Sequence, residues 1–283
     1  MNLELPEKEK ISKNRIIIYI IITLICIISI VVVIGVQILG NDVIDNLFGI
    51  NKITKRSEEE EAVLKNNFEN IFDNSLENDE EYQIQKINNN ENIIYTSYTK
   101  EDKNDNYEIN VNLPYINIEN KEVKQFNKEI KDTFEGKAEE TIKNKNNNNI
   151  IYTVKYKAYI ENNNLSLIIY SDLKQSTSAQ RVIIQTFNYD LKENKENKLE
   201  DTLNNYSLKI NDVQNKINND IQKEQKKSEE LIKLGYNVFS RDINSDIYKI
   251  DNITEYFVYK NNIYIIFAYG NNKITSEKDI VII

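Results

Sequence analysis

The chain contains no histidine and one cysteine in 283 residues, and it is short of positive charge, with 36 Lys+Arg against 45 Asp+Glu. Without histidine there is no Ser-His-Asp or Cys-His nucleophilic centre, no imidazole general base and no histidine-ligated zinc or haem. A single cysteine excludes an intrachain disulfide framework, a four-cysteine zinc site and a cysteine-ligated iron–sulfur cluster. A formal net charge of −9 argues against a nucleic-acid partner, because most such affinity comes from neutralising phosphates. What remains is a binding, sensing or structural protein, or an enzyme built on carboxylates, Lys, Ser or Tyr. The length suits one or two domains with a real core.

Residues 16–40 carry no charge and are mostly Ile, Val and Leu. About 20 apolar residues cross a bilayer core, so this run predicts a transmembrane helix. Lys8, Lys10, Lys13 and Arg15 precede it, and Asp42 and Asp45 follow it. Basic flanks stay in the cytoplasm, so 1–15 is expected as a short cytoplasmic tail and the remainder as extracytoplasmic. The run is longer than a signal-peptide core and ends without a small-residue cleavage pattern, which points to an uncleaved single-pass anchor in a cell membrane. Cys26, mid-span, reads as a small apolar residue. The tail's four basic and three acidic residues leave 32 basic and 42 acidic residues beyond it, a net of −10. Such a charge favours solubility and also draws cationic partners.

Beyond the span the pattern predicts an α+β region of antiparallel sheets packed against two long amphipathic helices. Residues 41–80 read as a juxtamembrane linker and an amphipathic helix. Ser57 and Glu60 form a capping-box pattern, and Leu64, Phe68, Ile71, Phe72 and Leu76 make one stripe. Glu58 to Glu61 suit the positive end of that helix, a fuller explanation than metal binding. Strands are expected near 81–88, 92–99 and 107–116. A helix is expected over 119–144, with Val123, Phe126, Ile130, Phe134, Ala138 and Ile142 inward and Gly136 a weak point. From Ile150 the pattern becomes period two, through Tyr152, Val154, Tyr156 and Ala158. Asn162 to Asn164 turn the chain into 165–170, a third strand covers 179–190, and the three form an antiparallel meander. A second long helix over 206–234 has Gly235 at its C′ position. A hairpin of 255–259 and 263–267 and an edge strand at 280–283 complete the chain. Two modules, 81–149 and 150–283, follow from this pass, and 81–283 is expected to fold without the anchor.

No residue set argues for catalysis, a cofactor or a metal. The strand tyrosines Tyr152, Tyr156, Tyr170, Tyr189, Tyr256 and Tyr259 read first as core, and where exposed as a platform for protein or glycan. Asp190, Glu200 and Asp201 suggest a glycosidase pair, but turn and cap roles explain Asp190 and Asp201. Ser176 to Ser178 form a polar loop without a base. Nucleotide-binding and EF-hand patterns are absent, and the sequons at Asn164, Asn205 and Asn252 are expected by chance in so Asn-rich a chain.

Several segments in order carry a family resemblance. Leu113-Pro114-Tyr115-Ile116, followed by 123–130 with Asn127 and Ile130, resembles the first extracytoplasmic module of PdaC-type and RsiV-type proteins. Residues 158–170, 179–191 and Lys198 to Leu203 resemble the second, RsiV-like C-terminal module. Tyr256-Phe257 through Phe267-Ala268-Tyr269-Gly270 resembles its final hairpin. The resemblance covers 81–283. The family's Gly-Ala-His-Gly turn is replaced by Ser176-Thr177-Ser178-Ala179-Gln180, the tail is short for holding a sigma factor, and the PdaC deacetylase domain has no counterpart. The resemblance implies a non-catalytic binding or sensing protein of a bacterial cell envelope, recognising a cationic protein such as lysozyme, or a cell-wall glycan. Its alternatives are an RsiV-type anti-sigma regulator of envelope stress, an accessory protein of cell-wall metabolism, or a structural partner in a membrane complex.

Overall fold

In the computed structural model, residues 56–78, 82, 84–144 and 149–283 are described. The expected tail, span and first part of the linker, 1–55, lie outside them. Among the described residues no helix is long and apolar enough to cross a membrane. Residues 53–283 make one compact unit of α+β class.

Helix α1, Glu58–Asn67, starts with the expected capping box: the Glu60 N–H donates to Ser57 Oγ at 3.2 Å, and the Ser57 N–H donates to Glu60 Oε2 at 2.9 Å. The stripe from Leu64 to Leu76 is not one helix, however. α1 gives way to a 3₁₀ turn, Phe68–Ile71, and Leu76 lies on strand β1, Ser75–Asn78. Asn74 causes the change. Its φ of 58° is left-handed, its N–H donates to the Tyr156 carbonyl at 2.9 Å, and its Oδ1 accepts from the Tyr156 N–H at 3.0 Å. The chain is thereby laid as a parallel strand along β4, Ile150–Glu161.

Strands β2, Ile94–Asn104, and β3, Tyr107–Ile116, form a hairpin, and β3 pairs in parallel with β4. That pairing, Tyr107↔Ile150 to Val111↔Val154, carries one sheet across the expected module boundary at 149/150. Of the strand expected at 81–88, the described residues show an isolated bridge from Lys86 to Ile118. β4, β5, Asn164–Gln175, and β6, Arg181–Asp190, are the expected antiparallel meander. Asn162 and Asn163, at φ 51° and 60°, form the two-residue turn that joins β4 to β5. β7, Lys195–Glu196, completes a mixed seven-stranded sheet.

Between β3 and β4 the chain is helical in three pieces: α2, Lys121–Ile130, a π turn, Lys131–Glu135, and α3, Gly136–Asn144. Val123, Phe126, Ile130, Phe134 and Ala138 are all buried. From Phe126 they recur every four residues, which overshoots a 3.6-residue turn. The wider π turn restores the stripe to the sheet. A separate short helix α4, Leu199–Asn205, precedes the helix expected over 206–234, which is observed as α5, Ile210–Lys233. α5 ends on Gly235, at φ 88°, with Tyr236 N–H on the Leu231 carbonyl and Gly235 N–H on that of Ile232, a Schellman closure. β8, Tyr256–Tyr259, β9, Asn262–Ala268, and β10, Lys278–Ile282, form a second, antiparallel sheet.

Period-two alternation divides the strands between cores. Leu165, Leu167 and Ile169 of β5 face a core with α2 and α3. Ile168 of β5, with Val182 and Ile184 of β6, faces Phe257, Tyr264 and Ile266 of the small sheet, joined by Phe68 and Phe72. Ile263, Ile265 and Phe267 on the opposite face of β9 pack with Val213, Ile217 and Ile221 of α5. The order is helix, sheet, sheet, helix.

Candidate functional site

Most of β6 has no neighbouring strand on its outer side, and other groups satisfy its backbone there. The Val182 N–H donates to the Thr275 carbonyl at 3.1 Å. Asn271 pairs with both backbone groups of Ile184, at 3.2 and 3.0 Å. The Thr186 N–H and hydroxyl donate to Glu255 Oε2 at 2.7 and 3.0 Å, and the Asn188 carbonyl accepts from the Asn197 N–H at 2.8 Å. An edge closed by side chains and loop backbone rather than by a full strand resists pairing with another chain and leaves hollows on either side.

One hollow, of about 960 Å³, lies between α2, β6 and β7. Phe126 and Phe187, stacked at 4.5 Å between ring centroids, are part of its lining. Glu122, Glu129, Glu196 and Glu255 line it with Lys121, Lys124 and Lys128, and Lys124 is already bonded to Glu119. Burial pushes the Glu196 carboxyl above its ordinary range, and Glu122 and Glu129 push it further, against Lys198. Its backbone N–H donates to Glu122 Oε2 at 2.9 Å, which holds the two side-chain positions together. An added cation would relieve this crowding of negative charge. Past Thr254 and Glu255 lies a second cavity of about 480 Å³, lined by Phe239, Ile247, Ile253, Phe267 and Tyr269. Burial raises the Glu255 carboxyl to about 7, although the Thr186 bonds oppose the shift.

The sequence singled out other groups, and their places are plain. Asp190 accepts from the Lys192 and Glu193 N–H groups at 2.9 Å each, as a turn residue. Asp201 accepts from the Lys198 N–H at the start of α4, as a cap. Glu200 lines a further hollow together with Glu196 and Leu199. Glu58 pairs with Lys223 at 2.9 Å and Glu61 with Lys216 at 2.7 Å, so the acidic run also fastens α1 to α5. No group of three or more metal-ligating side chains occurs among the described residues. Tyr152, Tyr156, Tyr189 and Tyr256 are buried, as the core reading expects. Tyr170 and Tyr259 are half-buried, and the Tyr259 ring and hydroxyl are engaged by Lys260 at 5.0 Å and Glu77 at 2.9 Å. Sequence reasoning did not select Glu122, Glu129, Glu196 or Glu255. The one usable signal was Phe126, read as an inward residue, which also borders the groove. No family model matches the chain, and comparison with curated proteins finds no match.

Proposed function

We propose that this chain is a single-pass, membrane-anchored binding module of a bacterial cell envelope, held outside by residues 16–40, and that it recognises a cationic protein in the groove between α2 and β6. The observation that carries the reading is the set of four carboxylates around the Phe126–Phe187 stack, with Glu196 crowded by Glu122 and Glu129. A basic side chain placed there would neutralise charge while its stem covered the aromatic edges. The net charge of −10 beyond the tail would speed the encounter. In this reading the protein binds rather than catalyses. The helical run 121–144 and α5 are its two amphipathic helices, and 81–149 and 150–283 are its PdaC-like and RsiV-like modules. Lysozyme is the partner that the resemblance suggests.

The test is the full-length chain in detergent micelles, immobilised and titrated with lysozyme at low and moderate salt. Binding is expected, with an association rate that falls as salt rises, because the Debye length is about 8 Å near physiological ionic strength. Glu122→Gln with Glu196→Gln should weaken binding. Absence of binding at micromolar lysozyme in low salt removes lysozyme as the partner, and undiminished binding by the double variant removes the groove.

A further inference from the structure

The cavity beside Glu255 adjoins the acidic groove and shares Thr254 and Glu255 with it. Its volume of about 480 Å³ falls in the range of small-molecule sites, and its walls are mostly apolar. Phe239 lies flat on Tyr269 with centroids 3.8 Å apart, and the Tyr269 hydroxyl is fixed by Asp279 and Tyr248 at 2.5 and 2.9 Å. The aromatic wall is therefore rigid. Arg241 holds the loop behind it, bidentate on Asp279 at 2.8 and 2.9 Å and in contact with Glu277 at 3.0 Å. Lys273 is the one basic residue lining the cavity, and its ammonium sits over the Phe239 ring, 4.7 Å from the centroid.

Glu255 is the one acidic residue of this lining, and no cation forms an ion pair with it among the described residues. Its bonds to Thr186 need an acceptor but not a charge. Asn271 performs the equivalent task at Ile184 with a neutral amide. The charge is thus surplus to closing the β6 edge, and it faces a hollow with apolar and aromatic walls. We infer that this cavity binds a small organic ammonium ion, its charge on the Glu255 carboxylate and its apolar body against Phe239, Ile247, Ile253 and Tyr269. Apolar walls and one carboxylate together suit such a cation, whereas a free inorganic cation would gain nothing from the apolar walls.

The experiment uses the full-length chain in micelles with phenethylammonium and its neutral counterpart 2-phenylethanol as probes, binding being followed by calorimetry above pH 8. Saturable binding of the ammonium is expected, and Glu255→Gln, which keeps an acceptor for Thr186, should weaken it by about tenfold or more while leaving 2-phenylethanol unchanged. Partition into micelles is common to both proteins and cancels. Ile247→Lys, at a rim position 42% exposed, should also weaken the ammonium selectively by placing a like charge at the mouth. It provides an independent test should Glu255→Gln fold poorly. Lack of saturable ammonium binding, or equal loss of both probes, overturns the inference. The Glu122 and Glu196 variants should leave it unchanged, so its failure and that of the groove are read separately.

Discussion

Replacing Gly270 by alanine is expected to destabilise the protein more than the addition of one methyl group in a turn would suggest, because Gly270 is buried. Gly270 lies in the 3₁₀ turn Tyr269–Asn271, against the open side of β6. A Cβ there would lie 1.8 Å from the Val182 carbonyl oxygen and 2.7 Å from that of Thr275. Both obstacles are backbone, so no side-chain rotation relieves them, and the turn must move off the strand by more than an ångström. Four hydrogen bonds span that contact: Arg181 Nε to the Gly270 carbonyl at 3.0 Å, the two Asn271–Ile184 bonds, and Val182 N–H to Thr275. At about 1 kcal/mol net for each, the loss is about 3–4 kcal/mol, out of about 5–15 for a typical domain. Urea unfolding of the full-length chain in micelles, followed by far-ultraviolet circular dichroism, measures it. Gly136→Ala is the control, because nothing lies within 4 Å of its added Cβ and it opens α3. That change should be neutral or stabilise by up to about 1 kcal/mol. A loss below about 1 kcal/mol for Gly270→Ala would refute the argument from close approach.

Three further outcomes are expected. A fragment beginning at residue 53 should unfold cooperatively, whereas one beginning at 81 should melt far lower, because it lacks Phe68, Phe72 and β1 and strips Asp73, Ser75 and Glu77 from the buried Lys157 ammonium; equal melting temperatures would show that 58–78 is dispensable. Glu255 has a folded pKa near 7 against the usual 4.5, so the unfolded chain releases that proton first and this residue's contribution makes stability fall as pH rises from about 4.5 to 7. The stability of Glu255→Gln relative to wild type should accordingly improve across that window, and parallel pH curves for the two proteins would contradict the assigned shift. Arg241→Ala should cost about 3–5 kcal/mol by leaving the buried Asp279 carboxylate without its cation, and Asp279→Asn in that background should restore part of the loss in the same urea assay.

The sequence by itself determined whatever neighbours along the chain decide. Alternation assigned the faces of β4, because side chains on a strand point to opposite sides whatever lies across from them. Ser57 with Glu60 marked one helix start, Gly235 marked one helix end, and paired asparagines marked the tight hairpin at 162–163, since these signals act within a few residues. The tertiary structure decided the rest. Leu76 fits a helical stripe as well as a strand, and only the docking of Asn74 on the Tyr156 backbone selects the strand. The π turn exists because α2 and α3 must both face one sheet, a demand that no local propensity expresses. The candidate site follows the same rule. Glu122, Glu129, Glu196 and Glu255 come from a helix, a two-residue strand and the approach to β8, and each alone reads as a solvated charge. Their meaning arises where a strand edge is closed by side chains and loop backbone instead of by a full strand, and that arrangement is set by how the two sheets pack rather than by any spacing along the chain.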